Sequence, residues 1–176
     1  MKALSQPKRK TLFPEKPHDH QSCVKGALGA AQTIAAERRL RFTPLRRHVF
    51  EIVSQSHRPL GAYDVLAALA KTTAKRGRIA PPTVYRALDF LRAHGFVHRI
   101  DSLNAFVACF APSRPHRAYF FLCEACGRAA EIENSALTAA LKASASQAHF
   151  SVARETVEIA GRCSACMGAA PARRRA

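Results

Sequence analysis

Apolar residues in the first half of the chain recur every three to four positions, which is the spacing of amphipathic helices. Residues that start or stop helices divide this pattern into four segments. Thr43 followed by Pro44 is typical of an N-cap with proline at the first helical position. The predicted helices cover residues 24–39, the segment from Pro44 to about His57, the segment from Gly61 to the basic turn at residues 75–78, and residues 83–94.

The fourth predicted helix follows Pro81-Pro82, ends at Gly95 and has two distinct faces. Four apolar residues at i, i+3, i+4 and i+7 should face the core, namely Val84, Ala87, Leu88 and Leu91. The outward positions are Tyr85, Arg86, Asp89, Arg92 and Ala93. An exposed Tyr-Arg pair in the first turns is typical of a helix that reads the major groove of DNA, although a plain helical bundle with a charged outer face has the same pattern.

After Gly95 the spacing of apolar residues changes to two, as expected for strands. Residues 96–100 and 105–110, joined through Ser102-Leu103-Asn104, predict a β-hairpin. Helices followed by a hairpin are the arrangement of a winged helix, which we place at residues 23–111 within an α+β protein.

The charge of the chain indicates a polyanion as the partner of this first half. The 176 residues carry a formal charge of +16. Residues 37–101 hold thirteen Lys or Arg against five Asp or Glu, whereas residues 118–168 hold four against five. Such an uneven basic charge is typical of nucleic-acid-binding proteins. The expected base contacts are Tyr85 and Arg86, and the expected phosphate contacts are Lys75, Arg76 and Arg78.

Two Cys-x-x-Cys pairs, Cys123/Cys126 and Cys163/Cys166, stand out in the second half, with 36 residues between them. Each pair can turn two thiolates toward a common centre, and four sulfurs satisfy tetrahedral zinc with no open position. Disulfides or ordinary buried cysteines are the alternatives. Two matched pairs in a chain without a secretory signal favour a structural zinc ion.

The long separation of the two pairs requires an extra element between them. Asn134 can cap a helix, and Leu137 and Leu141 with the surrounding alanines give it an apolar stripe that continues to Ala148. The second half is therefore expected to be a small α/β domain. The expected division of the chain is a disordered basic tail at residues 1–22, the winged helix at 23–111, a hinge at 112–117, the α/β domain at 118–168 and a second disordered basic tail at 169–176.

A second set of possible metal ligands depends on the geometry of the hairpin. An even number of loop residues places His98 and Cys109 on the same face, and an odd number places them on opposite faces. With His116 and Glu131 they would form a mixed set of nitrogen, sulfur and oxygen that suits zinc better than iron. Each of these residues also has an ordinary structural interpretation. A loose metal clip is conceivable in the N-terminal tail, from His18, His20 and Cys23.

Several motifs resemble the ferric uptake regulator family over residues 25–168. They are Thr43-Pro44-Leu45-Arg46, Pro82-Thr83-Val84-Tyr85-Arg86-Ala87-Leu88, Gly95-Phe96-Val97-His98 and the two cysteine pairs. The resemblance implies a dimeric bacterial metal-dependent repressor with an N-terminal winged helix and a C-terminal α/β dimerisation domain. Ala62-Tyr63-Asp64, residues 82–91 and residues 95–99 most resemble the zinc-responsive members. Residues 115–121 lack the run of histidines found in iron-sensing members, which argues against an iron or peroxide sensor.

The resemblance also implies roles for individual residues. The regulatory zinc ligands would be His98, Cys109, His116 and Glu131. The family's tyrosine and arginine DNA contacts fall on Tyr63 and Arg86, and Thr83 completes the expected DNA-binding set. The expected cofactor is zinc, with two ions per chain, and the expected partners are double-stranded operator DNA and a second copy of the chain.

We therefore expect a zinc-responsive transcriptional repressor that binds palindromic operators and controls zinc uptake genes. An enzyme is not expected, because both zinc sites are closed by protein ligands and no Ser/His/Asp set or phosphate-binding glycine loop is present. The alternatives are a sensor of the same fold for iron, manganese, nickel, haem or peroxide, and a non-regulatory zinc-ribbon nucleic-acid-binding protein. No run of ~18–20 apolar residues is present, so a membrane span is not expected. The N-terminus lacks the apolar region of a signal peptide, so the expected location is the cytoplasm. A small-molecule substrate is not expected for a repressor of this kind.

Overall fold

The computed structural model describes residues 13, 20–72 and 79–167. Along the chain, helices are followed by the wing and then by a second sheet with one helix. The helices of the first half are α1 (His20–Glu37), α2 (Pro44–Ser54), α3 (Ala62–Thr72) and α4 (Pro81–Ala93). The first sheet consists of β1 (Leu60–Gly61), β2 (Val97–Ile100) and β3 (Ala105–Ala108). The second half contains β4 (Tyr119–Cys123), β5 (Ala129–Ile132), α5 (Ser135–Gln147) and β6 (Glu158–Gly161).

Local capping signals explain where the helices begin. The hydroxyl of Thr43 accepts a hydrogen bond from the amide of Arg46, and Pro44 occupies the first position of α2, as predicted. Prolines likewise open α4, and Gly95 follows its C-cap with φ of +74°, a conformation that favours glycine.

One apolar core joins α1 to α4. The predicted inner face of α4 is confirmed, since Val84, Ala87, Leu88 and Leu91 are all buried. They pack with side chains from the other helices, such as Phe50 of α2. Burying one side chain of this size contributes about 1.5–3 kcal/mol, so this core fixes the position of α4 relative to the other helices.

The wing is an antiparallel sheet with strand order β1-β3-β2. Val97 pairs with Ala108, and Ile100 pairs with Ala105 at the turn. The two-residue strand β1 was not predicted, because it forms only by pairing with the distant strand β3 and has no alternating pattern of its own.

The second sheet has the order β5-β4-β6, in which β4 runs antiparallel to β5 and parallel to β6. Helix α5 connects β5 to β6, and the side chain of Asn134 caps it by accepting from the amide of Leu137 at 3.0 Å, as predicted. The expected apolar stripe of α5 is only partly covered by its own chain, because Leu137 is half-buried, Leu141 is 36% exposed and no residue of α5 is buried. These elements confirm the α+β fold class of a winged helix followed by a small α/β unit.

The predicted C-terminal boundary of the N-terminal tail, at residue 22, is wrong. Residues 20–22 belong to α1, where the ring of His20 lies 4.7 Å from the ring of His57 between centroids. Tertiary contact therefore extends the helix toward the N-terminus, and Cys23 lies one turn after His20 on α1 instead of in a tail. Other predictions fall outside the described residues, namely those for His18, Lys75, Arg76, Arg78 and residues 169–176.

Candidate metal centres and DNA-facing surface

The structure brings the four cysteines of the two pairs together. Their sulfur atoms all lie within 4.8 Å of one another. Cys123 ends β4, and Gly127 allows the chain to turn after Cys126 with φ of +69°, while its amide donates to the carbonyl of Cys123 at 2.7 Å. Cys163 and Cys166 lie on the turn that follows β6. The parallel pairing of β4 with β6 therefore places both turns at the same end of the sheet.

The separations of these sulfurs fit a metal ion, and the distance between Cys126 and Cys163 excludes a disulfide between those two residues. The sulfurs of Cys126 and Cys163 are 3.9 Å apart, far beyond a bonded S–S distance of about 2.05 Å. Four thiolates at about 2.3 Å from a tetrahedral zinc ion would be about 3.8 Å apart. The donor set therefore suits zinc in a closed structural site.

The backbone around this cluster favours thiolate at one position. Burial acts to raise the pKa of Cys123, but amides of Cys163, Cys126 and Ala125 donate to its sulfur and bring the pKa to about 6. The pKa of Cys166 is raised to about 12, mainly because its thiol hydrogen-bonds to the sulfur of Cys163. A divalent cation at this cluster would favour the thiolate forms of its sulfur ligands.

A second cluster forms at the wing. The turn between β2 and β3 spans residues 101–104, an even number, and His98 pairs directly with Val107. Cys109 lies two positions beyond Val107, so it shares the face of His98 one step along the diagonal. Glu131 comes from β5, and His116 comes from the segment just before β4. One ligand atom from each of the four residues lies within 4.8 Å of the others.

The spacing within the second cluster also suits zinc. Nε2 of His98 lies 3.4 Å from Oε1 of Glu131, and the sulfur of Cys109 lies 3.5 Å from Nε2 of His116. Tetrahedral ligands at 2.0–2.3 Å from zinc would be separated by about 3.3–3.6 Å. The contact of 2.5 Å between His116 and Glu131 is a hydrogen bond, which would have to lengthen around an ion.

The polar side chains of this second cluster are largely buried, so leaving them unpaired is energetically costly. The side chains of His116 and Glu131 are each only 5% exposed, and Nε2 of His98 is buried and makes no well-formed hydrogen bond, although Oε1 of Glu131 lies 3.4 Å away. A buried polar atom without a partner is costly, and a cation coordinated there would satisfy it. Nδ1 of His116 lies 3.0 Å from the carbonyl of Arg114, which orients the ring so that Nε2 faces the cluster.

The pKa values in the second cluster reflect the same crowding. Burial, followed by the nearby Glu131 carboxylate, raises the pKa of the Cys109 thiol to about 12. Burial acts to raise the pKa of Glu131, but the adjacent His98 and the amide of Phe110 outweigh it and lower the pKa. Burial also acts to lower the pKa of His116, yet hydrogen bonds with Arg114 and Glu131 raise it overall. A divalent cation would compete with the protons held by Cys109 and His116.

The members of the predicted DNA-contacting set that the structure describes lie exposed on α3 and α4. Tyr63 of α3 is 68% exposed and Tyr85 of α4 is 41% exposed, and their rings meet edge to face with centroids 6.5 Å apart. Thr83 and Arg86 are exposed on the same helix as Tyr85. The first turns of α4 and the start of α3 therefore form a continuous polar and aromatic surface.

Two residues that the sequence did not single out link separate parts of the molecule. The guanidinium of Arg38 donates to the carbonyl of His94 at 3.4 Å, at the end of α4, and to the carbonyl of Ser113 at 3.1 Å. The carboxylate of Glu158 accepts from two amides in the wing turn. Both residues act on backbone atoms far away in sequence, so side-chain spacing gives no signal for either.

Fold and clusters together define a winged-helix protein whose wing shares a candidate metal site with a second, cysteine-rich unit. The sequence pattern of the Ferric uptake regulator family matches residues 37–160. The zinc uptake regulation protein of Escherichia coli (strain K12) is 36% identical over 143 residues, which cover 80% of this chain and 81% of that protein. The chain therefore belongs to the Ferric uptake regulator family.

Two solved structures resemble the whole arrangement. A zinc uptake regulator complexed with zinc and DNA has a TM-score of 0.75 and 34% sequence identity, covering 81% of this chain and 94% of that one. Holo XcZur has a TM-score of 0.73 and 38% identity, covering 82% of this chain and 99% of that one. In the described part of this chain, no helix is both long enough and apolar enough to cross a membrane.

Proposed function

We propose that this protein is a zinc-responsive transcriptional repressor that binds palindromic operator DNA as a homodimer and controls genes of zinc uptake and homeostasis. The observation that carries this proposal is the second cluster, because its ligands come from both sides of the hinge. His98 and Cys109 belong to the wing, whereas Glu131 belongs to the second sheet. The similarity to zinc uptake regulators supports zinc as the signal.

In this proposal each chain holds two zinc ions. The structural ligands are Cys123, Cys126, Cys163 and Cys166, and the regulatory ligands are His98, Cys109, His116 and Glu131. Zinc supplies positive charge and directed bonds to four ligands at either site. The winged helix then occupies residues 20–111, the hinge 112–117 and the α/β domain 118–168.

The regulatory ligands would control the angle between the winged helix and the rest of the chain. When His98 and Cys109 are held beside His116 and Glu131, the wing cannot swing away from β5. In a dimer this restriction sets the separation of the two α4 helices. A two-fold operator with half-sites about one helical turn apart matches only one such separation, so the restricted state binds it best.

The exposed surface around α4 supports its role as the recognition helix. Arg86 and Tyr85 are proposed to contact base edges, while Tyr63 and Thr83 contact the duplex beside them. Lys75, Arg76 and Arg78 are proposed to contact phosphate. Since the partner is genomic DNA, we place the protein in the cytoplasm, and we assign it no catalytic activity.

The exposed apolar side chains of the second half support dimerisation there. Phe150, Val152 and Ile159 are 67%, 46% and 44% exposed, and α5 buries none of its residues within the chain. Apolar surface of this extent is typical of a protein interface. A second copy that packs on this surface would also carry the second α4 helix needed for a palindromic site.

Footprinting on promoter DNA from zinc uptake genes, at buffered free metal concentrations, tests the proposal. We expect protection of a palindromic site in zinc and its loss when the labile ion is chelated. Manganese, iron and nickel at matched free concentrations separate this function from sensing of another metal. Protection that does not depend on any metal would contradict a regulatory role for the second cluster.

A further inference from the structure

Glu158, the first residue of β6, contacts the wing away from both candidate metal sites. These sites are the cluster of four cysteines, called the cysteine cluster, and the cluster of His98, Cys109, His116 and Glu131, called the mixed cluster. Oε1 of Glu158 accepts a hydrogen bond from the amide of Asp101 at 2.6 Å, and Oε2 accepts from the amide of Ser102 at 3.0 Å. Both amides belong to the turn that joins β2 to β3. A carboxylate that accepts from two backbone amides makes charge-assisted hydrogen bonds, which are stronger than neutral ones.

Neighbouring side chains hold the turn in the orientation that this contact needs. The hydroxyl of Thr156 donates to Oδ2 of Asp101 at 3.3 Å. On the wing itself, Nε of Arg99 lies 3.4 Å from Oδ1 of Asp101. The turn is therefore held by two residues from the second half. Glu158 is the first residue of β6, and Thr156 lies two residues before it.

This contact lies at a distance from the mixed cluster, so the two together can restrict rotation of the wing relative to the second sheet. Asp101, in the turn just after β2, follows His98 by three residues, which corresponds to about 10 Å of extended chain. Attachment at one point leaves the wing free to rotate about that point, whereas attachment at two points removes most of this freedom. Ile100 and Val107 of the wing also pack with Phe120 of β4 in a small apolar cluster, which resists the remaining rotation.

We infer that Glu158 is a positioning residue that fixes the angle of the winged helix by holding the wing turn, in cooperation with the regulatory metal site. This inference rests on the proposed zinc-dependent repression. The Glu158 contact requires the same approach of wing and second sheet that brings His98 next to Glu131. By linkage, it raises the affinity of the chain for the regulatory ion and for operator DNA together.

The test compares full-length Glu158→Ala with wild type and with Glu37→Ala, a matched variant of an exposed glutamate at the end of α1. Affinity of the labile site is measured by competition with a zinc chelator, and operator affinity is measured at saturating zinc. We expect Glu158→Ala to lower both affinities by about tenfold, within the range of typical allosteric coupling. Affinity for a scrambled duplex without zinc should not change, because phosphate contacts dominate it.

Glu158→Gln and Thr156→Val extend the test if Glu158→Ala folds poorly. The glutamine keeps one acceptor oxygen but loses the charge, so its effect should lie between wild type and Glu158→Ala. Thr156→Val removes one supporting hydrogen bond and should produce a change of about twofold to threefold in the same direction. Retention of the structural zinc and an unchanged thermal midpoint without labile zinc show that each variant is folded.

The possible outcomes separate this inference from the proposed function. Operator binding by wild type that ignores zinc would contradict the proposed function itself. Zinc-dependent binding by wild type, with Glu158→Ala or Glu158→Gln indistinguishable from Glu37→Ala, would contradict the positioning role alone. A reduced affinity for scrambled DNA as well as for the operator would also overturn it, because a general loss of folded protein explains that result.

Discussion

The two clusters of candidate metal ligands differ in where their side chains originate. All four ligands of the cysteine cluster come from turns at one end of the second sheet, so the cluster can form whatever the position of the winged helix. The mixed cluster needs His98 and Cys109 from the wing beside Glu131 from β5. Its formation therefore depends on the angle between the two halves.

If each cluster holds a zinc ion, as proposed, this difference predicts distinct physical consequences for the loss of the two ions. A site with local ligands stabilises a fold, because its binding free energy is gained only when that fold is present. A site with ligands from two bodies stabilises one arrangement of those bodies and leaves each body folded without it. The first should act on stability and the second on DNA affinity.

Replacing a residue of the cysteine cluster should have the largest effect on the stability of the protein. Cys163→Ser removes a thiolate from a closed four-sulfur site, and structural zinc contributes on the order of 10 kcal/mol in small zinc-dependent folds. We expect loss of the tightly held ion, of the dimer and of cooperative melting in the second half. Zinc analysis and analytical ultracentrifugation measure these changes.

Cys23→Ser is the matched control, since Cys23 is an exposed cysteine on α1 outside both clusters. It should retain both ions and the dimer. A Cys163→Ser protein that remains dimeric and melts like Cys23→Ser would show that the cysteine cluster does not hold the fold.

Replacing the cysteine of the mixed cluster should have a smaller effect on stability and a large one on regulation. Cys109→Ser should leave the structural ion and the dimer intact but weaken the labile site by about a hundredfold or more, because a thiolate ligand is lost. Chelator competition and melting curves measure the two properties separately. An unfolded second half in Cys109→Ser would remove the distinction between the clusters.

Arg86→Ala should reduce sequence discrimination without altering either cluster. Loss of one base contact costs about 1–3 kcal/mol of discrimination against the wrong base. We expect operator affinity to fall by about ten- to a hundredfold while affinity for scrambled DNA changes little. Lys25→Ala on the exposed face of α1 is the charge-matched control.

The dependence of binding on salt completes the test of Arg86. If Arg86→Ala mainly lowered the slope of affinity against salt concentration and kept sequence preference, Arg86 would be a phosphate contact and not a base contact.

Asn134→Ala should have the smallest effect. Its side chain caps α5, and loss of such a cap costs about 0.5–2 kcal/mol of stability. Denaturant unfolding should shift by that amount, whereas zinc affinity at the mixed cluster should remain as in wild type. A clear loss of labile-site affinity would mean that stability of the second half alone controls that site.

Local signals in the sequence were sufficient for much of the fold. The helix α2 behind Thr43, the inner face of α4 and the cap of α5 at Asn134 each depend on residues within one or two turns. Strand β1 and the start of α1 were missed because tertiary contacts create them, through pairing with β3 and packing of His20 on His57.

The candidate sites show the same division. The spacing of the cysteine pairs predicted their convergence, and the structure places all four together. For His98 and Cys109 the spacing left two faces open. His116 and Glu131 were grouped with them from the sequence as possible ligands, and the family resemblance then assigned all four to one regulatory site. Glu158 gave no signal, because its partners are backbone amides 56 and 57 residues away.

The most direct test of the central claim is the zinc affinity of the labile site, measured on the same protein with and without saturating operator DNA. The structural ion must remain bound in both titrations. If the mixed cluster couples the two halves, the operator should tighten zinc binding by the same factor by which zinc tightens operator binding, about 5- to 150-fold. Equal zinc affinities with and without the operator would contradict the account.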